Sequence, residues 1–123
     1  PLPSIRGTGT GEYAAIPYDI GGILTSGTGS IVSTRIIAFI SGWLHIELDA
    51  SLNGGYGVSG TIQIYRNDSP VGELHLLDDT EEEYEFVEDI DGWQFGDRLS
   101  IWGQVSSGGT ITSSVRATAR ISP

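Results

Sequence analysis

"GWLHIELDASL", residues 42–52, decides how this chain folds. Apolar side chains recur at every second position: Leu44, Ile46, Leu48, Ala50 and Leu52. His45, Glu47, Asp49 and Ser51 fill the positions between them. A period of two belongs to a β-strand, whose successive side chains point to opposite faces of a sheet. The spacing predicts a strand with one face in a core and the other in water.

The same period recurs to either side. "IVSTRIIAFI" (31–40) reads as a strand, or two. "VSGTIQIYR" (58–66) places Val58, Ile62 and Ile64 inward, and "VGELHLL" (71–77) places Leu74 and Leu76 inward. "YEFVEDI" (84–90) sets Tyr84 and Phe86 on one face. In "RLSIWGQV" (98–105), Leu99, Ile101 and Val105 share a phase; "TITSSVRATARI" (110–121) follows the "SSGG" turn. "NGGYG" (53–57) carries an Asn-Gly turn signal, "NDSP" (67–70) supplies turn residues, and "DDTEEE" (78–83) reads as a loop. No segment has sustained helical spacing and no repeat is present. Short strands with turn signals every 8–12 residues predict an all-β protein. Eight or nine short strands are expected, in an antiparallel β-sandwich or barrel. Periodicity does not choose between jelly-roll and immunoglobulin-like strand order, and the jelly-roll-like sandwich is the arrangement that the resemblance described below favours.

Residues 1–30 differ in character, with Gly at 7, 9, 11, 21, 22, 27 and 29. Only "EYAAIPYDI" (12–20) reads as a strand there, and Pro17 confines it to an edge or a break. The chain therefore divides into a Gly-rich N-terminal arm with short edge strands (1–30) and a sandwich domain (31–123). The alternative is a slack first segment of the same sheet.

Composition narrows the function classes. The 123 residues suffice for one domain with one core. Sixteen acidic residues against six arginines, with no Lys, give a net charge of −10. Such a surface repels phosphate backbones and anionic lipid, so nucleic acid and membrane are not expected partners. The absence of Cys removes disulfides and thiol catalysis. The longest apolar run, "IIAFI" (36–40), is strand-sized.

Three large aromatic residues fall in the outward phase of their strands. Trp43 shares the phase of His45 and Glu47, Tyr65 that of Thr61 and Gln63, and Trp102 that of Ser100 and Gln104. Burying such a ring is worth on the order of 2–3 kcal/mol, so an outward ring has a cause. Three causes compete: cover by the N-terminal arm or a loop, packing against another subunit, and a stacking platform for sugar rings beside polar hydrogen-bonding groups.

Other chemistry is sparse. The run "DDTEEEYEFVED" (78–89) holds eight of the sixteen acidic residues. It reads first as a solvated charge run. The calcium alternatives in and just after it are Asp89 and Asp91 before Gly92, which resemble the start of a calcium loop, or Asp78, Asp79 and Glu81; either would hold a weak structural ion, and no other cofactor is expected. His45 and His75 both lie in mid-strand in predicted polar phases and read first as ordinary polar strand residues; the alternative is that a ladder sets them side by side. No nucleophile elbow, zinc-protease motif or phosphate loop occurs, so no catalytic residue is assigned and the chain is expected not to be an enzyme.

Gly96-Asp97 entering the strand with Leu99 and Ile101 resembles the strand entry of jelly-roll modules in the tumour-necrosis-factor and complement-collagen superfamily. It is also similar to that of β-sandwich domains in bacteriophage virion proteins. "GTIQIYRNDSPVGELHL" (60–76) resembles phage minor tail and head-decoration sandwiches. The terminal strand lacks the aromatics typical of the tumour-necrosis-factor group. The phage resemblance implies a virion structural protein that decorates a capsid or tail surface. Its partners would be capsid or tail proteins and further copies of itself, commonly in a trimer. Ile5, Arg6 and Tyr13 would then belong to the attachment arm, and Trp43 or Trp102 to subunit packing. The alternative is a carbohydrate-binding module that stacks a surface glycan on Trp43, Tyr65 and Trp102.

Overall fold

A computed structural model describes residues 13–15, 20–31, 35–37 and 41–120. The described residues form strands and connecting turns, with no helix among them. The strands are β1 (Tyr13–Ala15), β2 (Ile20–Ser30), β3 (Arg35–Ile36), β4 (Ser41–Asn53), β5 (Gly60–Arg66), β6 (Ser69–Pro70), β7 (His75–Leu77), β8 (Glu83–Gln94) and β9 (Arg98–Arg120). All pairings between them are antiparallel, in one sheet that curls into a half-barrel.

The organising element is β9, which runs for 23 residues. Along one edge it pairs with β1 (Tyr13↔Arg120), β2 (Ile20↔Val115 to Ser30↔Trp102) and β3 (Arg35↔Leu99). Along the other it pairs with β4 (Trp43↔Arg120 to Asn53↔Thr110) and then β5 (Gly60↔Val105 to Arg66↔Leu99). Strand β8 flanks β4, while β6 and β7 flank β5.

"SSGG" (106–109) is thus a corner and not the reversal expected of a turn between two strands. The chain passes through it and keeps β2 as its neighbour on both sides. "NGGYG" is likewise no hairpin: β4 and β5 run one after the other along the same edge of β9. The corner is built from positive φ angles at Gly108 (83°), and at Ser26 (53°) and Gly27 (104°) in the adjoining bulge of β2. Glycine adopts this region at no steric cost, and bulges sharpen the local twist. Strands β2 and β9 bend together beside the β4–β5 connection, tied by Gly108 N–H donating to Ser26 Oγ (3.2 Å) and Ser106 N–H to Ser59 O (2.9 Å).

The core fills the concave side. Leu44, Ile46, Leu48, Ala50 and Leu52 are all buried, as their alternation predicts. Ile62, Ile64, Leu99, Ile101, Val105, Ile111 and Val115 join them. Trp93 enters the same core although its number is odd among even-numbered inward neighbours of β8. The register shifts between Gly42 and Leu44, and Gly92 opposite has φ 83°, so one bulge rotates the indole inward.

Strand β7 reverses the expected phase. Leu74 and Leu76 are 64% and 59% exposed, whereas Leu77 is fully buried and His75 shares its phase. Only three residues pair here, with Ile62↔His75 and Gly60↔Leu77 fixing the register. A one-residue slip moves every side chain to the other face. Leu77 takes the core position, and Leu74 and Leu76 are left outside.

The curl brings the β8 edge to the β5–β7 edge. No ladder joins them among the described residues; side chains do. Glu88 Oε1 accepts from Glu73 N–H (2.8 Å), and its Oε2 lies 2.9 Å from His75 Nε2. The His75 ring stacks on Phe86 at 3.9 Å between centroids. Arg66 lies over the Trp93 ring and donates to Asp91 O (3.0 Å).

Candidate binding face

Strand β5 and the first half of β9 present their outward residues side by side on the convex surface. The register sets Gln63 opposite Trp102, Tyr65 opposite Ser100, and Thr61 opposite Gln104. Thr28 of β2 lies beyond Gln104, and Leu76 of β7 beyond Thr61. Residues 37 positions apart in the chain thereby become neighbours, by the difference between 65 and 102.

Tyr65 and Trp102 stack with centroids 5.3 Å apart and ring planes at 27°. An offset stack of this kind adds about 0.5–1.5 kcal/mol beyond area burial. Beneath the rings Ser100 is only 3% exposed, although it belongs to the outward phase. Its Oγ accepts a hydrogen bond from Trp102 Nε1 (3.2 Å), which satisfies the indole and fixes its orientation. The rings are themselves half-buried. A shallow groove of about 210 Å³ runs beside them, bordered by Thr28, Thr61, Gln63, Leu74 and Gln104. Gln63 Nε2 donates to Gly72 O (2.8 Å), which holds that amide against the strand. No side chain bordering the groove carries a formal charge.

The acidic residues of the convex surface gather along β4 and β8. Across β4, β8 and β9, Asp49 opposes Glu85, Ser51 opposes Glu83, and Glu47 lies between Val87 and Arg116. The Asp49–Glu85 pair sets like charges directly opposite one another, an arrangement that destabilises a sheet.

The other residues singled out by the sequence are dispersed. Trp43 is half-buried and opposite Arg120, in the half of β9 beyond the corner from Trp102. Tyr65 and Trp102 are brought together; Trp43 does not join them. Of the attachment residues, Ile5 and Arg6 lie outside the described residues, and the Tyr13 backbone pairs with Arg120. Asp78 and Asp79 lie in the turn before β8: both backbone N–H groups bond Tyr84 Oη, and Asp79 Oδ1 accepts from Glu81 N–H. Asp89 and Asp91 lie farther along β8, about 16 Å of strand beyond Tyr84 in the case of Asp89. Asp89 Oδ1 is 2.9 Å from His45 Nδ1. No group of three or more His, Asp or Glu poised for a metal ion occurs among the described residues. The two histidines are not neighbours, since His45 sits on the convex face with Asp89 and His75 on the inward phase with Glu88.

Sequence reasoning passed over Gln104 and Leu74 as parts of this face. Gln104 was legible, because it shares the phase of Trp102. Leu74 was not, because its phase follows from where Leu77 anchors. Gly96-Asp97 also acquires a structural role. Asp97 Oδ2 accepts from Gln94 N–H (2.8 Å), and Oδ1 accepts from Asn67 Nδ2 (3.0 Å), which ties two turns together.

Compared with models of known protein families and with curated protein sequences, the chain matches none.

Proposed function

We propose that this chain is a non-enzymatic structural protein of a virus particle, displayed on the surface of a phage capsid or tail, where it works by binding. The observation that carries this reading is the polarity of β9. Its C-terminal end receives the N-terminal strand at Tyr13↔Arg120 and lies beside Trp43. Its other half, past the corner, carries the Tyr65–Trp102 face. A module held at the first end, through the N-terminal segment and partner copies packed near Trp43, would hold the second outward. The curled sheet is read as a sandwich of the eight or nine strands expected from the alternation, in the jelly-roll-like arrangement that the resemblance of residues 42–105 implies. The acidic surface would keep the displayed module soluble and away from nucleic acid.

Mass spectrometry of washed particles of the virus whose genome carries the gene tests the proposal. The expected result is the chain at a fixed stoichiometry to the major capsid or tail protein. Its absence from particles, with abundant chain free in the lysate, would overturn it.

A further inference from the structure

We infer that the Tyr65–Trp102 face is a binding site for a neutral saccharide. The rings would stack on the apolar C–H face of a hexose, and the flanking amides and hydroxyls would bond its hydroxyl groups. This deepens the reading of the chain as a displayed binding protein, and rests on it for the outward presentation of the face.

Three observations carry the inference. First, the indole is already oriented. Its N–H is bonded to Ser100 Oγ at 3.2 Å, so what Trp102 offers outward is apolar ring surface. The stack with Tyr65 covers part of one face of each ring and holds both rings before any ligand arrives, leaving their remaining ring surface for the ligand. Preorganised rings lose little freedom on binding. Second, the border of the groove mixes donors with acceptors: Gln63 and Gln104 supply amides, and Thr28 and Thr61 supply hydroxyls. A hydroxyl both donates and accepts, and so does a primary amide. That mixture matches a ring of sugar hydroxyls. Third, the groove is uncharged on a chain of net charge −10. The field of the whole molecule repels an anionic ligand. A cation would be drawn to the acidic half of the convex surface, where Asp49, Glu83 and Glu85 gather. The field thus disfavours an anion, no carboxylate borders the groove to pair with a cation, and the amides and hydroxyls that do border it match an uncharged sugar ring.

The test uses the full chain labelled with nitrogen-15, whose Trp43, Trp93 and Trp102 give separate indole signals. It is titrated with neutral gluco-, galacto-, manno- and N-acetylgluco-oligosaccharides. The expected result is a saturable movement of the Trp102 signal with at least one series, with the Trp93 signal unmoved. Trp102→Ala should weaken that binding about tenfold or more. Gln104→Ala, at an exposed position, keeps the rings and should weaken it several-fold. Trp43→Ala should leave the affinity unchanged. A galacturonate oligosaccharide should bind at least tenfold more weakly than its galactose counterpart. The inference is overturned if no series moves the Trp102 signal, or if Trp43→Ala abolishes binding as fully as Trp102→Ala. It is also overturned if light scattering finds an oligomer that Trp102→Ala dissociates, because a second copy then occupies the face. These outcomes are separable from those of the particle test. Saccharide binding by a chain absent from particles refutes only the virion reading, and a particle-borne chain that binds no saccharide refutes only this one.

Discussion

Glu88 closes the curled sheet, and its removal should open the seam between β8 and the β5–β7 edge. Its carboxylate is 12% exposed and faces His75, which is 13% exposed. Glu88→Ala deletes the bonds to Glu73 N–H and His75 Nε2 together. The His75 nitrogen is left half-buried without its partner, at a cost of about 1–3 kcal/mol. The Glu73 amide lies near solvent and contributes about 1 kcal/mol or less. Loosening the His75–Phe86 stack takes a further ~0.5–1 kcal/mol. The expected loss is therefore about 2–4 kcal/mol, a large share of the ~5–15 kcal/mol that holds a domain together. Urea unfolding followed by tryptophan fluorescence measures it. With m about 2 kcal/mol/M, the middle of the usual range, the midpoint should fall by roughly 1–2 M. Glu88→Gln keeps an acceptor for the amide and a donor for the ring, and should cost about 1 kcal/mol or less. Asp91→Ala is the control, because Arg66 bonds the backbone carbonyl of Asp91 and not its side chain. If Glu88→Ala and Asp91→Ala unfold at the same midpoint as the parent chain, the seam is not held by Glu88 and the reasoning fails.

Further predictions concern the corner, the hairpin and the charged surface. A Cβ at Gly60 would lie 2.8 Å from Gln104 O and 2.7 Å from Ile111 Cδ1, so Gly60→Ala should cost about 1–3 kcal/mol in urea unfolding. Gly29→Ala meets nothing within 4 Å and should stay within about 0.5 kcal/mol of the parent or gain slightly. Asn67 and Asp68 both have positive φ between the paired Arg66 and Ser69, the signature of a type I′ turn. Asn67→Ala also loses the bonds from Arg98 N–H and to Asp97, and thermal unfolding should show a loss of about 1–3 kcal/mol. Glu85→Lys replaces the like-charge opposition to Asp49 with an attraction and should stabilise the sheet by about 0.2–1 kcal/mol at low salt. That gain should shrink at 1 M salt, where screening acts over ~3 Å.

Strands β4 and β5 and the two halves of β9 were legible because alternation is a local property. Strand β2 (Ile20–Ser30) was not: its Gly-rich sequence, in a segment where only 12–20 read as a strand, lacks alternation and is held by pairing with β9. Leu44 to Leu52 need only their own spacing to reveal an inward face, and the same holds for Ile62, Ile64, Leu99 and Ile101. It held too for Tyr65 and Trp102 as outward residues. Strand β7 was not legible, because three paired residues give the period too little length to declare a phase. Leu74, Leu76 and Leu77 are all leucine, and only packing chooses among them. Trp93 was hidden for a related reason: a bulge at Gly92 resets the phase, and a bulge leaves no mark in a two-residue repeat.

All-β character, the outward aromatics and an acidic surface could thus be read from spacing and composition, since each depends on a few neighbouring residues. Whether "SSGG" reverses the chain or merely bends it could not, because positive φ at Gly108 serves either purpose. The partners decide it: β2 stays beside β9 on both sides of the bend, so the ribbon folds over without turning back. That same continuity sets Gln63 against Trp102 and Thr61 against Gln104. The candidate binding face is consequently a product of long-range register. Hydrogen-bond pairing between strands distant in the chain assembles it, and local periodicity contains no information about which strands will pair.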